Sequence, residues 1–167
     1  AIVREPALRV MRFLGRVGTK IKEFIFRGAL QLVGAPVEMV MGILNLTPDS
    51  FFDGGQYRDA NAVLTQAEKM LDEGAAILDL GGASSRPGAA AVTEAEEMAR
   101  VIPNIALLLK HFPDAVLSID TWRGSIAQAA IEAGASLVND ISAGNLDPEL
   151  LQTVARLQVP YVLMHMQ

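Results

Sequence analysis

Downstream of residue 39 the chain alternates between two hydrophobic patterns. Short, predominantly apolar runs at 39–46, 76–80, 116–120, 137–141 and 161–164 read as buried strands. Between them, apolar residues recur at helical spacing. The first such face carries Val63, Leu64, Ala67, Met70 and Leu71, in a helix that starts near Asp59 and stops at Gly74. The second carries Met98, Val101, Ile102, Ile105, Leu108 and Leu109. It opens on Thr93-Glu94-Ala95-Glu96, a capping box, and Pro103 inside it predicts a kink. A third helix runs to Ala133, with Gly134 beyond its end. A fourth has Asp147 as N-cap and Pro148 at the first position, where a missing N–H costs nothing.

Strict alternation of strand and helix implies a parallel sheet with right-handed crossovers. Glu73-Gly74-Ala75 before the second strand is echoed sixty residues later by Ala133-Gly134-Ala135 before the fourth. Two successive βα units of about thirty residues produce that spacing. A doubly wound sheet and a (β/α)₈ barrel both satisfy the pattern. No G-x-G-x-x-G follows the first strand, which weakens a dinucleotide-binding sheet.

Composition removes several functions. A length of 167 residues fits one domain with a sizeable core. The absence of cysteine excludes disulfides, iron–sulfur clusters and thiolate zinc sites. No HExxH occurs, and the two histidines are far apart. No apolar run is long enough to span a bilayer, and no signal peptide is visible. A net charge of −5 argues against nucleic acid as a partner.

The charge is uneven, with seven of the fourteen basic residues inside 1–27. Within that stretch Val10, Leu14, Val17 and Ile21 fall on one helical face. Residues 1–22 are therefore expected to form a basic amphipathic extension, more a surface helix than a membrane element. Residues 24–33 read as a short hairpin, and the barrel-like domain is placed at 23–167.

The candidate chemistry sits where the strands end. Strand 1 ends at Asn45, strand 3 at Asp120, strand 4 at Asn139-Asp140 and strand 5 at His165. Strand 2 carries Asp79 and runs into Gly81-Gly82. Parallel βα units bring all these ends to one face, where barrel enzymes place their chemistry. Asp120 and Asn139 suit a fused heterocycle that offers amino and ring N–H donors. The run Gly-Gly-Ala-Ser-Ser-Arg-Pro-Gly at 81–88 supplies close backbone approach, two hydroxyls and one guanidinium. Arg86 suits a carboxylate or phosphate, although a loop arginine in a surface salt bridge is the ordinary alternative. Asn45, with the acids of the following loop, suits Mg²⁺, which prefers oxygen ligands. His111 at a helix end reads as a cation favoured by the helix dipole, and Trp122 as a packing residue.

Four segments, MGILNLTPDSFFDGG, DLGGASSRPGA, SIDTWRGSIAQAAIEAGASLVNDIS and PYVLMHM, together resemble the dihydropteroate synthase family over residues 24–167. The resemblance implies a (β/α)₈ barrel that joins a pterin diphosphate to p-aminobenzoate in folate synthesis and releases pyrophosphate. It implies Mg²⁺ as cofactor, sulfonamides as inhibitors, a cytoplasmic location and a homodimer. By the same resemblance, Asp120, Asn139, Ile141 and Met164 line the pterin pocket, and Asn45 binds the metal and diphosphate. Residues 47–52 form a first loop that closes over p-aminobenzoate, with Phe51 on its ring. Ser84, Ser85 and Arg86 belong to a second loop that contacts p-aminobenzoate and diphosphate. Arg86 and Asp120 then carry the catalytic electrostatics, and His165 has no assigned role.

Ala83 and Ser85 stand where the family often has a larger residue and a threonine. The chain stops just after strand 5, so the expectation is an incomplete barrel of about five strands, inactive alone and prone to associate. Two other readings are a pterin-binding methyltransferase of the same superfamily and a non-catalytic pterin-binding module.

Overall fold

A computed structural model describes residues 39–47, 56–83 and 91–164, with the side chains of 56–59 omitted. The expected N-terminal extension and hairpin lie outside the described residues. Along residues 39–164 the elements run β1 (Met41–Asn45), α1 (Gln56–Asp72), β2 (Ile77–Gly81), α2 (Glu94–His111) and β3 (Leu117–Asp120). They continue with α3 (Gly124–Glu132), β4 (Leu137–Asp140), α4 (Pro148–Leu157) and β5 (Tyr161–Leu163). Several boundaries differ from expectation: β2 is shifted by one residue, to 77–81, and β3 starts one residue later, at Leu117. β1 is shorter at both ends, α1 starts three residues before Asp59, Ile141 falls in the turn after β4, and Met164 follows β5.

All five strands are parallel and lie in the order β1-β2-β3-β4-β5. Each new strand adds to the same side of the previous one. With right-handed crossovers, an order without reversal keeps every helix on one face of the sheet. A doubly wound sheet needs a reversal point, so this order selects the barrel architecture, here as five of its strands.

The register shows what each face carries. Leu44, Leu46, Leu78, Leu80, Leu117, Ile119 and Val138 are buried in one core with Val63, Ala67, Val101, Ile105, Leu108, Ile126, Ala130 and Leu150 of the helices. Strand residues of opposite parity face away from the helices. That second face is polar towards its carboxyl end, where Ile43 pairs with Asp79, Asp79 with Ser118, Gly81 with Asp120, and Asp120 with Asn139.

The punctuation of the helices accounts for their ends. Thr93 Oγ1 accepts from the Glu96 N–H at 3.3 Å, and Glu96 Oε2 accepts from the Thr93 N–H at 2.8 Å. This reciprocal pair satisfies two N–H groups that the helix cannot bond internally. α2 runs unbroken across Pro103. His111 Nδ1 lies 3.0 Å from the Leu107 carbonyl, in the last turn of α2. Asp147 caps two helices: its Oδ1 accepts from the Glu149 N–H at 2.9 Å and its Oδ2 from the Gly124 N–H at 2.7 Å. Gly74 and Gly134 take φ of +99° and +113° after α1 and α3, a conformation that favours glycine.

Candidate functional site

The carboxyl ends of β1–β4 assemble a polar floor. Asn139 Nδ2 donates to Asp79 Oδ2 at 2.9 Å, reaching across β3 from β4 to β2. Both residues are buried, at 8% and 3% exposure. Gly81 lies between Asn45 and Asp120. A Cβ added there would stand 3.4 Å from Asp120 Oδ2 and 3.8 Å from Asn45 Oδ1. Glycine thus keeps open the space into which an amide and a carboxylate oxygen both turn. Asn45 itself is exposed, and Asp120 is half-buried. Three buried polar atoms on this floor have no hydrogen-bond partner among the described residues: Asp79 Oδ1, Ser118 Oγ and Asn139 Oδ1. Buried polar groups are rarely left so in a native interior, and clusters of them mark places where a polar molecule is received.

Electrostatics follow from burial and crowding. Asp120 is pushed up from 3.8 to about 7, first by desolvation, then by the negative charges of Asp79, Glu97 and Asp140. Burial also raises Asp79, opposed by the nearby Ser118 and Asn139 side chains. Ser118 Oγ influences Asp79 without making a hydrogen bond of full geometry. Carboxyl groups held above their ordinary value at strand ends favour a ligand that brings N–H donors or positive charge.

Asp140 is a correction to the reading of β4. Alternation turns it to the helix side, away from Asn139. There it is fully buried, and it accepts from the N–H groups of Ser142 at 2.7 Å and Gly144 at 2.6 Å and from the Tyr161 hydroxyl at 2.7 Å. Burial alone would raise its pKa, but those hydrogen bonds outweigh it and the group sits below its ordinary value. Asp140 organises the turn, in which Ala143 and Gly144 have positive φ, and does not line the polar floor.

A second cluster is not apparent from the sequence. Glu97 of α2 is fully buried. Its Oε1 accepts from the Thr121 hydroxyl at 2.7 Å, and its Oε2 pairs with the Arg123 guanidinium. Arg123 also donates to the Val92 carbonyl at 2.7 Å and lies over the Trp122 ring, 4.8 Å from its centroid. Arg100, one turn along α2, donates to the Gly82 carbonyl at 2.9 Å. The backbone on either side of segment 83–91 is therefore bonded to α2 and to the residues directly after Asp120. One signal was available: Glu97 shares the buried stripe of Val101, Ile105 and Leu108. A carboxylate on such a stripe needs a partner.

Of the expected site residues, Asn45, Asp120 and Asn139 converge on the polar floor. Ile141 is half-buried in the turn after β4. Met164 is exposed at 44%, and its N–H donates to the Asp140 carbonyl at 3.0 Å, which seats it beside the end of β4. Phe51, Ser84, Ser85, Arg86 and His165 lie outside the described residues. No group of three or more His, Cys, Asp or Glu side chains suited to a metal occurs among the described residues. The oxygens of Asn45 and Asp120 at Gly81 are nonetheless the donor type that Mg²⁺ takes, since it uses one or two protein oxygens and keeps several waters. No helix among the described residues is long and apolar enough to cross a membrane.

A parallel sheet with every helix on one side, carrying carboxylates and amides at its strand ends, matches a known family over most of its length. The chain belongs to the pterin binding enzyme family, which it matches over residues 41–167. It is 50% identical over 127 residues to the dihydropteroate synthase of Bacillus subtilis, covering 76% of this chain and 44% of that relative. It is 54% identical over 128 residues to the folic acid synthesis protein fol1 of Pneumocystis carinii, covering 77% of this chain and 17% of that relative. The solved Xanthomonas albilineans dihydropteroate synthase with 4-aminobenzoic acid superposes with a TM-score of 0.71 at 46% identity, over 77% of this chain and 47% of that one. The chain thus spans less than half the length of each of these proteins.

Proposed function

We propose that the protein containing this chain is a dihydropteroate synthase. The amine of p-aminobenzoate forms a new C–N bond with the exocyclic methylene of 6-hydroxymethyl-7,8-dihydropterin diphosphate. The C–O bond to the diphosphate breaks, its electron pair leaves with pyrophosphate, and the amine gives up a proton. The observation that carries the reading is the convergence of Asn45, Asp120 and Asn139 on one strand-end face, within a segment half identical to a dihydropteroate synthase.

The residues divide the work by chemistry. Asp120 and Asn139 offer acceptors to the N–H groups of the pterin, and a charged Asp120 favours positive character on the ring as the leaving group departs. Ile141 and Met164 supply apolar contact beside them. Asn45 would hold Mg²⁺, which when bound supplies positive charge beside the diphosphate. Arg86, Ser84 and Ser85 are assigned to the diphosphate and the p-aminobenzoate carboxylate, and Phe51 to its ring. A homodimer in the cytoplasm, inhibited by sulfonamides, completes the proposal.

The test is pyrophosphate release by the gene product that contains this chain. Release that requires both the pterin diphosphate and p-aminobenzoate is expected. Methyl transfer from methyltetrahydrofolate to a corrinoid protein, without pyrophosphate release, would sink it. Pterin binding with neither reaction would leave a binding module.

A further inference from the structure

We infer that Asp79 is a positioning residue that fixes which end of the Asn139 amide faces the ligand. The inference rests on the pterin reading and concerns a side chain which that reading leaves unused. An ionised carboxylate only accepts hydrogen bonds, so an amide packed against it must turn its nitrogen inward. The 2.9 Å bond from Asn139 Nδ2 to Asp79 Oδ2 has that polarity. Asn139 Oδ1 is then left buried and without a partner among the described residues. It stands on the same face as Asp120, its register neighbour on β3. The floor therefore shows two acceptors side by side, a carboxylate and an amide carbonyl. Two adjacent acceptors fit an edge with two N–H donors, as in a 2-amino-4-oxo ring. They reject an edge that brings a carbonyl in place of the amino group.

With an amide at position 79, that constraint disappears. The side chain introduced by Asp79→Asn could donate to Asn139 Oδ1, and the Asn139 nitrogen could then face the ligand. Selectivity between a donor and an acceptor on the ring would fall, while shape would hardly change. The effect differs from simple loss of fit, which weakens both ligands alike.

The experiment compares pterin with lumazine, whose C2 carbonyl replaces the amino group. Calorimetry on the purified gene product that contains this chain should show preference for pterin, and Asp79→Asn should reduce the pterin-to-lumazine ratio by about tenfold or more. An unchanged ratio, with both affinities lowered equally, would overturn the inference. Binding of neither ligand by the unsubstituted gene product would remove the pterin reading beneath it. A second measurement needs no variant. The side-chain NH₂ of Asn139 should exchange with solvent far more slowly than that of exposed Asn61 in nuclear magnetic resonance spectra. Equal exchange rates would also overturn the assignment, whether or not Asp79→Asn folds.

Discussion

The Thr121 hydroxyl donates to Glu97 Oε1 at 2.7 Å, joining the residue next to Asp120 to a fully buried carboxylate on α2. Arg123 completes the pairing and extends it to the Val92 carbonyl. Removing Glu97 leaves the buried Thr121 hydroxyl without its acceptor and the Arg123 guanidinium without its counter-charge. Glu97→Ala is therefore expected to lower stability by about 3–5 kcal/mol. Glu97→Gln keeps the shape and one acceptor, and should cost about 1–3 kcal/mol. Urea denaturation of the two variants checks the order, and a loss below about 1 kcal/mol for Glu97→Ala would show that the cluster is not structural.

Adjacent glycines at the end of β2 should respond differently to the same substitution. A Cβ at Gly82 would stand 2.8 Å from Val101 Cγ2, 2.9 Å from Glu97 Cγ and 3.2 Å from the Glu97 carbonyl oxygen. Those atoms belong to a packed helix, so Gly82→Ala should destabilise by about 1–3 kcal/mol. At Gly81 the nearest atoms are at ordinary contact distance. Gly81→Ala should fold nearly as well, yet weaken pterin binding, since its methyl fills the space between Asn45 and Asp120. Thermal melting and calorimetry separate the two effects. Equal melting losses would contradict the packing argument.

Much of this architecture is legible in the chain. The five strands show as apolar runs, and Thr93, Asp147 and Pro148 mark helix starts by local chemistry that needs no tertiary contact. Asp120 and Asn139 stand out because they end apolar strands. Asp140 misleads for a related reason: it neighbours Asn139 in sequence, but alternation puts the two on opposite faces. Glu97 is harder to read. Its partners Thr121 and Arg123 lie 24 and 26 residues further on, and only the fold brings them together. The start of α1 is hard to place because Asp59 looks like a cap, whereas the helix already begins at Gln56, directly after Gly54-Gly55.

Tyr161 and Asp140 give a prediction about acid. Asp140 is held below its ordinary value, so its contribution to stability is full above its unfolded-state pKa and is lost as pH falls through the folded one. The Tyr161 hydroxyl, 2.7 Å away, is one cause. Tyr161→Phe removes it and should cost about 1–3 kcal/mol at neutral pH. It should cost less at acid pH, where a protonated Asp140 no longer needs the donor. Denaturation curves at neutral and acid pH should therefore converge for the variant and parent as pH drops. A gap that stays constant would remove Asp140 ionisation as the cause.

Asp120 predicts the opposite slope. Its folded pKa of about 7 exceeds the ordinary 3.8. Between those values the folded state keeps a proton that the unfolded state has released, so stability falls as pH rises across that window. Above about 7 the folded protein carries a half-buried charge beside Asp79, Glu97 and Asp140. Asp120→Asn removes that charge and should stabilise the protein at about pH 8, on the order of a few kcal/mol. Little change is expected at about pH 4, where the carboxyl is already largely neutral in the folded state and half neutral in the unfolded one. The same substitution puts a donor where the pterin needs an acceptor. It should therefore weaken pterin binding by about tenfold or more, and p-aminobenzoate binding much less. A variant that gains stability at alkaline pH and loses pterin affinity would place Asp120 in the pocket as a residue whose burial is strained for binding. If the variant keeps the parent's pH slope and its pterin affinity, Asp120 belongs to neither the electrostatic cluster nor the pocket.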